Sequence, residues 1–140
     1  ENFFGQLSGR YPGRLSLSIG FVPELARKIY AGSDMFLMPS KSEPCGLSQM
    51  IALRYGSIPV VRETGGLKDS IADSADGRGN GFVFTGYNAQ EMLHALRRAL
   101  DAYGDKENWR RLVGRALESD NSWSRSAAEY MRLYREMTVQ

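Results

Sequence analysis

The 140-residue chain has little of the chemistry that binds metals or forms cross-links. It contains one cysteine and one histidine. A single cysteine excludes a disulfide within the chain, and these two residues are too few for a zinc site of the usual kind. We therefore expect no metal centre, and a reducing compartment such as the cytoplasm suits this composition best.

The chain also lacks a strong net charge and a long apolar run. Eighteen basic residues against sixteen acidic ones leave a formal net charge of +2. The basic residues are scattered, and Arg97–Arg98 and Arg110–Arg111 are the only pairs of arginines, so no basic patch predicts a nucleic-acid partner. No apolar run approaches the roughly 18–20 residues that cross a bilayer, so a membrane is not an expected partner either.

Hydrophobic patterning predicts an α/β fold with a parallel sheet. Hydrophobic residues make up 42% of the 140 residues, which is enough for one domain with a core of its own. Short apolar segments at 14–20, 34–38, 58–61 and 81–84 are typical of strands and alternate with helical patterns. Such alternation predicts parallel strands joined by right-handed crossovers.

The helical patterns predict which side chains are buried. The helix after residue 47 is expected to bury Met50, Ile51 and Leu53. Three helices follow the last strand and open near Asn88, Asp105 and Ser122. The last of them is expected to bury Ala127, Tyr130, Met131, Tyr134 and Met137, and both tryptophans, Trp109 and Trp123, are expected to pack in the core or between helices.

The start of the chain indicates a piece of a longer polypeptide. Residues 1–7 have the apolar spacing of a helix with no strand before it. Only about four strands are predicted, whereas a doubly wound sheet usually has about five or six. We therefore expect the sheet to be truncated on its N-terminal side.

The loop Pro39–Gln49 is the most informative segment, because it joins a buried strand to the start of a helix. Backbone N–H groups that are free at the start of a helix suit a phosphate. Glu43 precedes Gly46 by three residues, so its carboxylate can face a neutral part of the same ligand that is rich in hydroxyl groups. The chemistry predicted is a sugar nucleotide held by its phosphates and by its sugar.

From the residues alone, several candidates keep an alternative interpretation. Glu43 fits a surface turn as well as a ligand contact, and Thr64–Gly66 fits a strand-to-helix turn as well as a second contact. Phe21 by itself is more typical of a core than of a stacking position. Cys45 has no histidine or second cysteine near it in sequence, so we expect a small packing residue rather than a nucleophile. His94 is expected on the surface.

The motifs occur in an order that resembles a known family. They are Ile19–Phe21, Asp34–Ser40, Glu43–Leu47, Leu53–Arg62, Thr64–Leu67 and Ser122–Ser124. Thr-Gly-Gly alone is common, but the ordered set is specific. It resembles the C-terminal domain of bacterial glycogen synthases and plant starch synthases over nearly all of residues 15–136.

The resemblance implies a fold, a reaction and a set of site residues. The fold is the Rossmann-like C-terminal domain of a GT-B enzyme, and the reaction is retaining transfer of glucose from ADP-glucose to an α-1,4-glucan, without metal or other cofactor. Glu43 would be the catalytic residue and would bind the glucosyl hydroxyls, while Gly46, Leu47 and Ser48 would hold the diphosphate. Phe21 stands where the family usually has tyrosine and would stack on adenine. The other substrate-binding residues implied are Cys45, Thr64, Gly65 and Gly66.

The chain also departs from the family pattern. Related retaining transferases often have a second glutamate at the position of Ile51, but other synthases of this family also lack it. Glu63 stands where the family commonly has a second basic residue after Arg62. The family's phosphate-binding arginine and lysine would lie upstream of residue 1. We therefore expect residues 1–140 to be a partial nucleotide-sugar-binding domain, inactive alone, whose partner is the missing N-terminal domain. A transferase of the same fold that uses a UDP-sugar, or a stand-alone nucleotide- or glucan-binding module, is the alternative.

Overall fold

Three parallel strands form the sheet in the computed structural model, which describes residues 1–138. The strands are β1 (Met35–Met38), β2 (Ile58–Arg62) and β3 (Phe82–Phe84). They lie side by side in that order, with β2 in the centre. Because all three run the same way, the loops that follow them leave the sheet at one edge, where open α/β sheets bind ligands.

Helices flank and connect these strands. They are α1 (Asn2–Arg10), α2 (Pro23–Gly32), α3 (Ser48–Tyr55), α4 (Gly66–Ser70), α5 (Ala89–Gly104), α6 (Lys106–Glu118) and α7 (Trp123–Thr138). The predicted starts are confirmed by capping contacts, since the Asn88 side chain accepts a hydrogen bond from the N–H of Glu91 at 2.9 Å and that of Asp105 accepts one from Asn108 at 3.1 Å. Within residues 1–138, no helix is both long and apolar enough to cross a membrane.

The core lies where β2 and β3 meet α3, α5 and α6. Its largest fully buried apolar side chains are Leu53, Ile58, Val60, Val61 and Leu67. Trp109 is buried and packs edge-on against Tyr103, as the helical pattern predicts. The apolar patterns of β2, β3 and α6 thus describe the true core.

The predicted inner face of α3 is partly wrong. The buried residues are Gln49, Ala52 and Leu53, whereas Met50 is only partly buried and Ile51 is exposed. Positions three and four apart share one face of a helix, so the inward face runs through Gln49. Because the first residue of that face, Gln49, is polar, the hydrophobic pattern did not indicate that the face is buried.

The strand predicted at 14–20 is not formed. Residues 15–19 belong to no ladder among the described residues, and Ile19 is 56% exposed. Alternation favours a strand only when a neighbouring strand supplies hydrogen bonds and a surface to cover. Within residues 1–138 no strand forms ladder hydrogen bonds with this segment.

The predicted burial of α7 is also wrong. The helix forms, but none of its described residues is buried, including Ala127, and the large apolar side chains Trp123, Tyr130, Met131, Tyr134 and Met137 are all more than half exposed. The apolar stripe is therefore real but is not covered by other described parts of the chain. Periodicity predicts a helix and the face it offers, and burial depends on a neighbour.

An ion pair fastens the segment before β3 to α5. The Asp73 carboxylate accepts hydrogen bonds from both terminal nitrogens of Arg98, at 2.8 and 2.9 Å, and from the N–H groups of Val83 and Ala75. Burial works to raise the pKa of Asp73, but these hydrogen bonds outweigh it and hold the pKa below its usual value. The carboxylate is thus stabilised in its charged form.

Candidate functional site

Two loops touch at the carboxyl edge of the sheet. The N–H of Gly66, after β2, donates to the carbonyl oxygen of Glu43, after β1, at 3.2 Å. A Cβ atom added at Gly65 would lie 2.0 Å from the oxygen of Glu43, and one added at Gly66 would lie 2.0 Å from the oxygen of Cys45. Both positions therefore require glycine, because the two backbones are in direct contact.

The start of α3 offers backbone donors without a cap. Its N-cap residue is Leu47, whose side chain makes no capping hydrogen bond and cannot make one. The N–H groups of the first turn have no acceptor within the helix. Gly46 precedes them with φ of +76°. This arrangement of free N–H groups at a positive helix end is suited to an anion such as a phosphate.

The Glu43 side chain is available to a ligand. The residue is only partly buried, and no ion pair within residues 1–138 involves its carboxylate. Its backbone is held by Gly66 while its side chain is not held, so the carboxylate can accept hydrogen bonds from hydroxyl groups.

A groove of about 730 Å³ opens beside this loop. Pro44, Cys45 and Leu47 line one wall, and Trp123 and Tyr130 of α7 line another. The Cys45 thiol is free and exposed. The groove places apolar and aromatic surface, together with the carboxylates of Asp69, Asp120 and Glu129, next to the loop that carries the candidate N–H groups.

Arg62, at the end of the central strand, holds the neighbouring loops in place through hydrogen bonds. Its guanidinium donates to the carbonyl oxygens of Ser40 at 2.9 Å, of Thr85 at 3.2 Å and of Lys41. The loops that follow β1 and β3 are thus tied to the end of β2. An arginine just after an apolar strand is the signal from which this role could have been inferred.

Glu63, the departure from the family pattern, has a local counter-charge. Its carboxylate lies 3.0 Å from the Lys68 ammonium and accepts a hydrogen bond from the Thr85 hydroxyl at 3.2 Å. The hydrogen bond from Lys68, the positive charge of Lys68 and the hydrogen bond from Thr85 together lower the pKa of Glu63. Its negative charge is therefore partly offset by a neighbouring cation.

Most of the predicted site residues lie together, and one lies apart. The group at the sheet edge comprises Glu43, Cys45, Gly46, Leu47, Ser48, Thr64, Gly65 and Gly66. Phe21 lies on the segment before α2 and is 95% exposed, so it is not part of the core that residues 1–138 form. It does not line the groove beside Cys45. His94 is exposed, as predicted.

Sequence reasoning missed Gln49, which is fully buried beneath the loop. Its side-chain nitrogen lies 3.2 Å from the oxygen of Cys45 and 2.9 Å from that of Gly46. The available signal was its spacing from Ala52 and Leu53, which places an amide on the inward face directly after a glycine loop.

Comparison with known proteins shows which family the chain belongs to. Residues 17–113, well over half of the chain, match the family model for glycosyl transferases group 1. The chain belongs to this family. The matched residues of this group 1 transferase domain include both contacting loops and all of the sheet.

Glycogen synthases are among its relatives. The chain is 56% identical over 137 residues to the glycogen synthase of Clostridium acetobutylicum and 52% identical over 139 residues to that of Bacillus cereus strain Q1. These alignments cover 96% and 98% of this chain but 29% of each relative. The chain therefore spans under a third of the length of the curated relatives it matches.

Solved structures confirm the Rossmann-like α/β fold. The catalytic domain of starch synthase IV from Arabidopsis thaliana, bound to ADP and acarbose, matches with a TM-score of 0.85 and 40% identity, over 99% of this chain and 30% of that one. Sucrose-phosphate synthase from Thermosynechococcus elongatus matches with a TM-score of 0.65 and 20% identity, over 99% of this chain and 34% of that one. The second likeness concerns the fold alone.

Proposed function

We propose that the protein containing this chain is a retaining glucosyltransferase that lengthens an α-1,4-glucan with glucose from ADP-glucose. Residues 1–140 would be part of its C-terminal, nucleotide-sugar-binding domain. The observation that carries the proposal is the backbone contact between Gly66 and Glu43, which joins the loop after β2 to the loop that carries Glu43 and leads into the uncapped start of α3. Identities of 52–56% to glycogen synthases support this reaction over others of the family.

The start of α3 would stabilise the leaving group. As the bond between glucose and the diphosphate breaks, negative charge grows on the phosphate oxygens. The N–H groups of Gly46, Leu47 and Ser48 and the positive end of the helix would meet that charge without rearrangement. Thr64, Gly65 and Gly66 would complete the wall around the same phosphates.

Glu43 would act on the sugar. Its carboxylate would accept hydrogen bonds from glucosyl hydroxyl groups, and its negative charge would favour the positive charge that develops on the departing sugar. Cys45 would pack beside the sugar as a small neutral group. Phe21 would stack on adenine, and its full exposure leaves its ring face free to do so.

The remaining parts of the active site would come from outside this chain. We propose a second, N-terminal domain as partner, facing the sheet edge across a cleft that admits the glucan. The isolated 140 residues would then make no glucan. A cytoplasmic location suits the free Cys45 thiol and the absence of disulfides from a chain with one cysteine.

The test is glucose transfer by the full-length protein. It would be given ADP-glucose or UDP-glucose with glycogen as acceptor, and the anomeric configuration of the product would be read by NMR. We expect transfer from ADP-glucose, with new α-1,4 linkages and retained configuration. Preference for UDP-glucose would favour another transferase of the same fold, and nucleotide binding without transfer would favour a binding module.

A second measurement locates the site. Addition of ADP to the labelled full-length protein should shift the amide resonances of residues 43–49 and 64–66 more than those of α6. Shifts confined to other regions would contradict the proposed position of the nucleotide, even if glucose transfer were observed.

A further inference from the structure

Gln49 is a buried polar side chain whose hydrogen bonds link the loop after β1 and the loop after β2. It is 0% exposed. Its nitrogen Nε2 carries two hydrogen atoms and lies within hydrogen-bond distance of three acceptors, the carbonyl oxygens of Cys45 and Gly46, at 3.2 and 2.9 Å, and the Ser70 hydroxyl at 3.1 Å. Ser70 in turn donates to the carbonyl oxygen of Gly66 at 2.6 Å. One side chain thus connects the loop after β1 with the loop after β2.

The surroundings determine which way the Gln49 amide points. Rotating it by half a turn would set its oxygen against two carbonyl oxygens, neither of which can donate. Its oxygen Oε1 instead faces Gly46, since a Cβ atom added there would lie 2.5 Å from it. This oxygen is buried and has no hydrogen-bond partner among residues 1–138. An unpaired buried oxygen costs stability, and the hydrogen bonds of the nitrogen end offset that cost.

Holding the two carbonyl groups determines where the loop N–H groups point. In a trans peptide the C=O and N–H of one unit point in opposite directions, and the structure has no cis peptide bond among its described residues. Because Gln49 draws the oxygens of Cys45 and Gly46 inward, the N–H groups of Gly46 and Leu47 point away from it. Neither N–H donates to another backbone group within residues 1–138.

We propose that Gln49 is a positioning residue for the diphosphate of the nucleotide sugar. It acts through the loop backbone, by turning the N–H groups of Gly46 and Leu47 outward beside the first turn of α3. Through the Ser70 hydroxyl, Gln49 also holds Gly66 in a fixed position relative to these N–H groups. This inference rests on the proposed function, because it assigns a cause to the phosphate affinity of that same site.

The test is Gln49→Met in the full-length enzyme, which keeps the length of the side chain and removes its hydrogen bonds. We expect the dissociation constant for ADP to rise by about tenfold or more, while that for adenosine, which lacks phosphates, stays unchanged. Gln49→Glu should weaken ADP binding further, because a carboxylate would face two carbonyl oxygens. Isothermal titration calorimetry with both ligands measures the ratio.

Val113→Ala provides the matched control, because Val113 packs against the core from α6 and has no bond to either loop. It should lower the melting temperature and leave both dissociation constants unchanged. A loss of ADP and adenosine affinity in equal measure, in Gln49→Met, would indicate general damage and overturn the proposal. So would unchanged ADP binding.

Ser70→Ala keeps the proposal testable if Gln49→Met does not fold. It removes the bridge to Gly66 and should weaken ADP binding several-fold without affecting adenosine. Unchanged ADP binding in Ser70→Ala would then refute the positioning role. If the unaltered enzyme transfers glucose but the variants bind ADP normally, only this inference fails; if the unaltered enzyme neither binds ADP nor transfers glucose, the proposed function fails first.

Discussion

Replacing Gly66 with alanine should force the two site loops apart. The new Cβ atom would lie 2.0 Å from the carbonyl oxygen of Cys45 and 2.6 Å from the carbon atoms beside it. Since Cβ atoms essentially never approach backbone atoms closer than 3.0 Å, the Cys45 carbonyl would have to move by about 1 Å. The contact is with backbone, so no side-chain rotation can relieve it.

The free-energy cost can be worked from these contacts. Overpacking of this kind costs about 1–3 kcal/mol, and weakening the hydrogen bond between Gly66 and Glu43 adds about 0.5–1.5 kcal/mol. Alanine would return about 1 kcal/mol through its better helix propensity. We expect a net destabilisation of about 0.5–3.5 kcal/mol. A displacement of about 1 Å at a reacting group can also lower kcat by about a hundredfold.

Gly114→Ala in α6 is the matched control, since it makes the same chemical change in a helix where a Cβ atom would meet nothing within 4 Å. It should leave kcat unchanged and stabilise the protein by up to about 1 kcal/mol. Urea unfolding and glucose transfer from ADP-glucose, both with the full-length enzyme, measure the two effects. Equal stability and equal kcat in the two variants would refute the close contact between the loops.

Three further predictions concern single residues. Glu43→Gln should lower kcat by at least about tenfold while ADP binding measured by calorimetry barely changes; normal turnover would make Glu43 a turn residue. Phe21→Ala should raise the KM for ADP-glucose several-fold, in line with a stacking energy of about 1 kcal/mol, whereas Phe21→Tyr should leave it unchanged or lower it; an unaltered KM in the alanine variant would remove the stacking role. Hydrogen bonds from Arg98, Val83 and Ala75 outweigh burial and lower the pKa of Asp73 below its unfolded value. The Asp73 carboxylate therefore contributes its full stabilisation above the unfolded pKa of about 3.9, and this stabilisation is lost as pH falls through the folded pKa. Urea unfolding across this acid range should therefore show a steeper loss of stability in the unaltered protein than in Asp73→Asn, and parallel curves would contradict the assignment.

The positions of the two candidate loops, between strands and helices, were predictable from the sequence because the signals for these elements are local. A glycine-containing loop between an apolar strand and a helix made residues 43–48 and Thr64–Gly66 candidates, each with a turn as the alternative, and the family resemblance favoured the functional interpretation of Glu43. The parallel sheet then explains why two loops far apart in sequence meet, since neighbouring parallel strands end at one edge. Helix starts at Asn88 and Asp105 followed from capping chemistry, which also depends on a few adjacent residues.

The tertiary structure alone decided which predicted faces are covered. Residues 15–19 alternate like a strand yet have no neighbour to pair with, and α7 has an apolar stripe that the described chain leaves exposed. Gln49 was not among the residues predicted to be buried, yet it is fully buried, because α3 turns that side chain toward carbonyl groups of its own loop. Periodicity and turn chemistry act over a few residues and can be read from the chain. Strand pairing, burial and the direction of a buried amide depend on what lies opposite in space, which the order of residues does not specify.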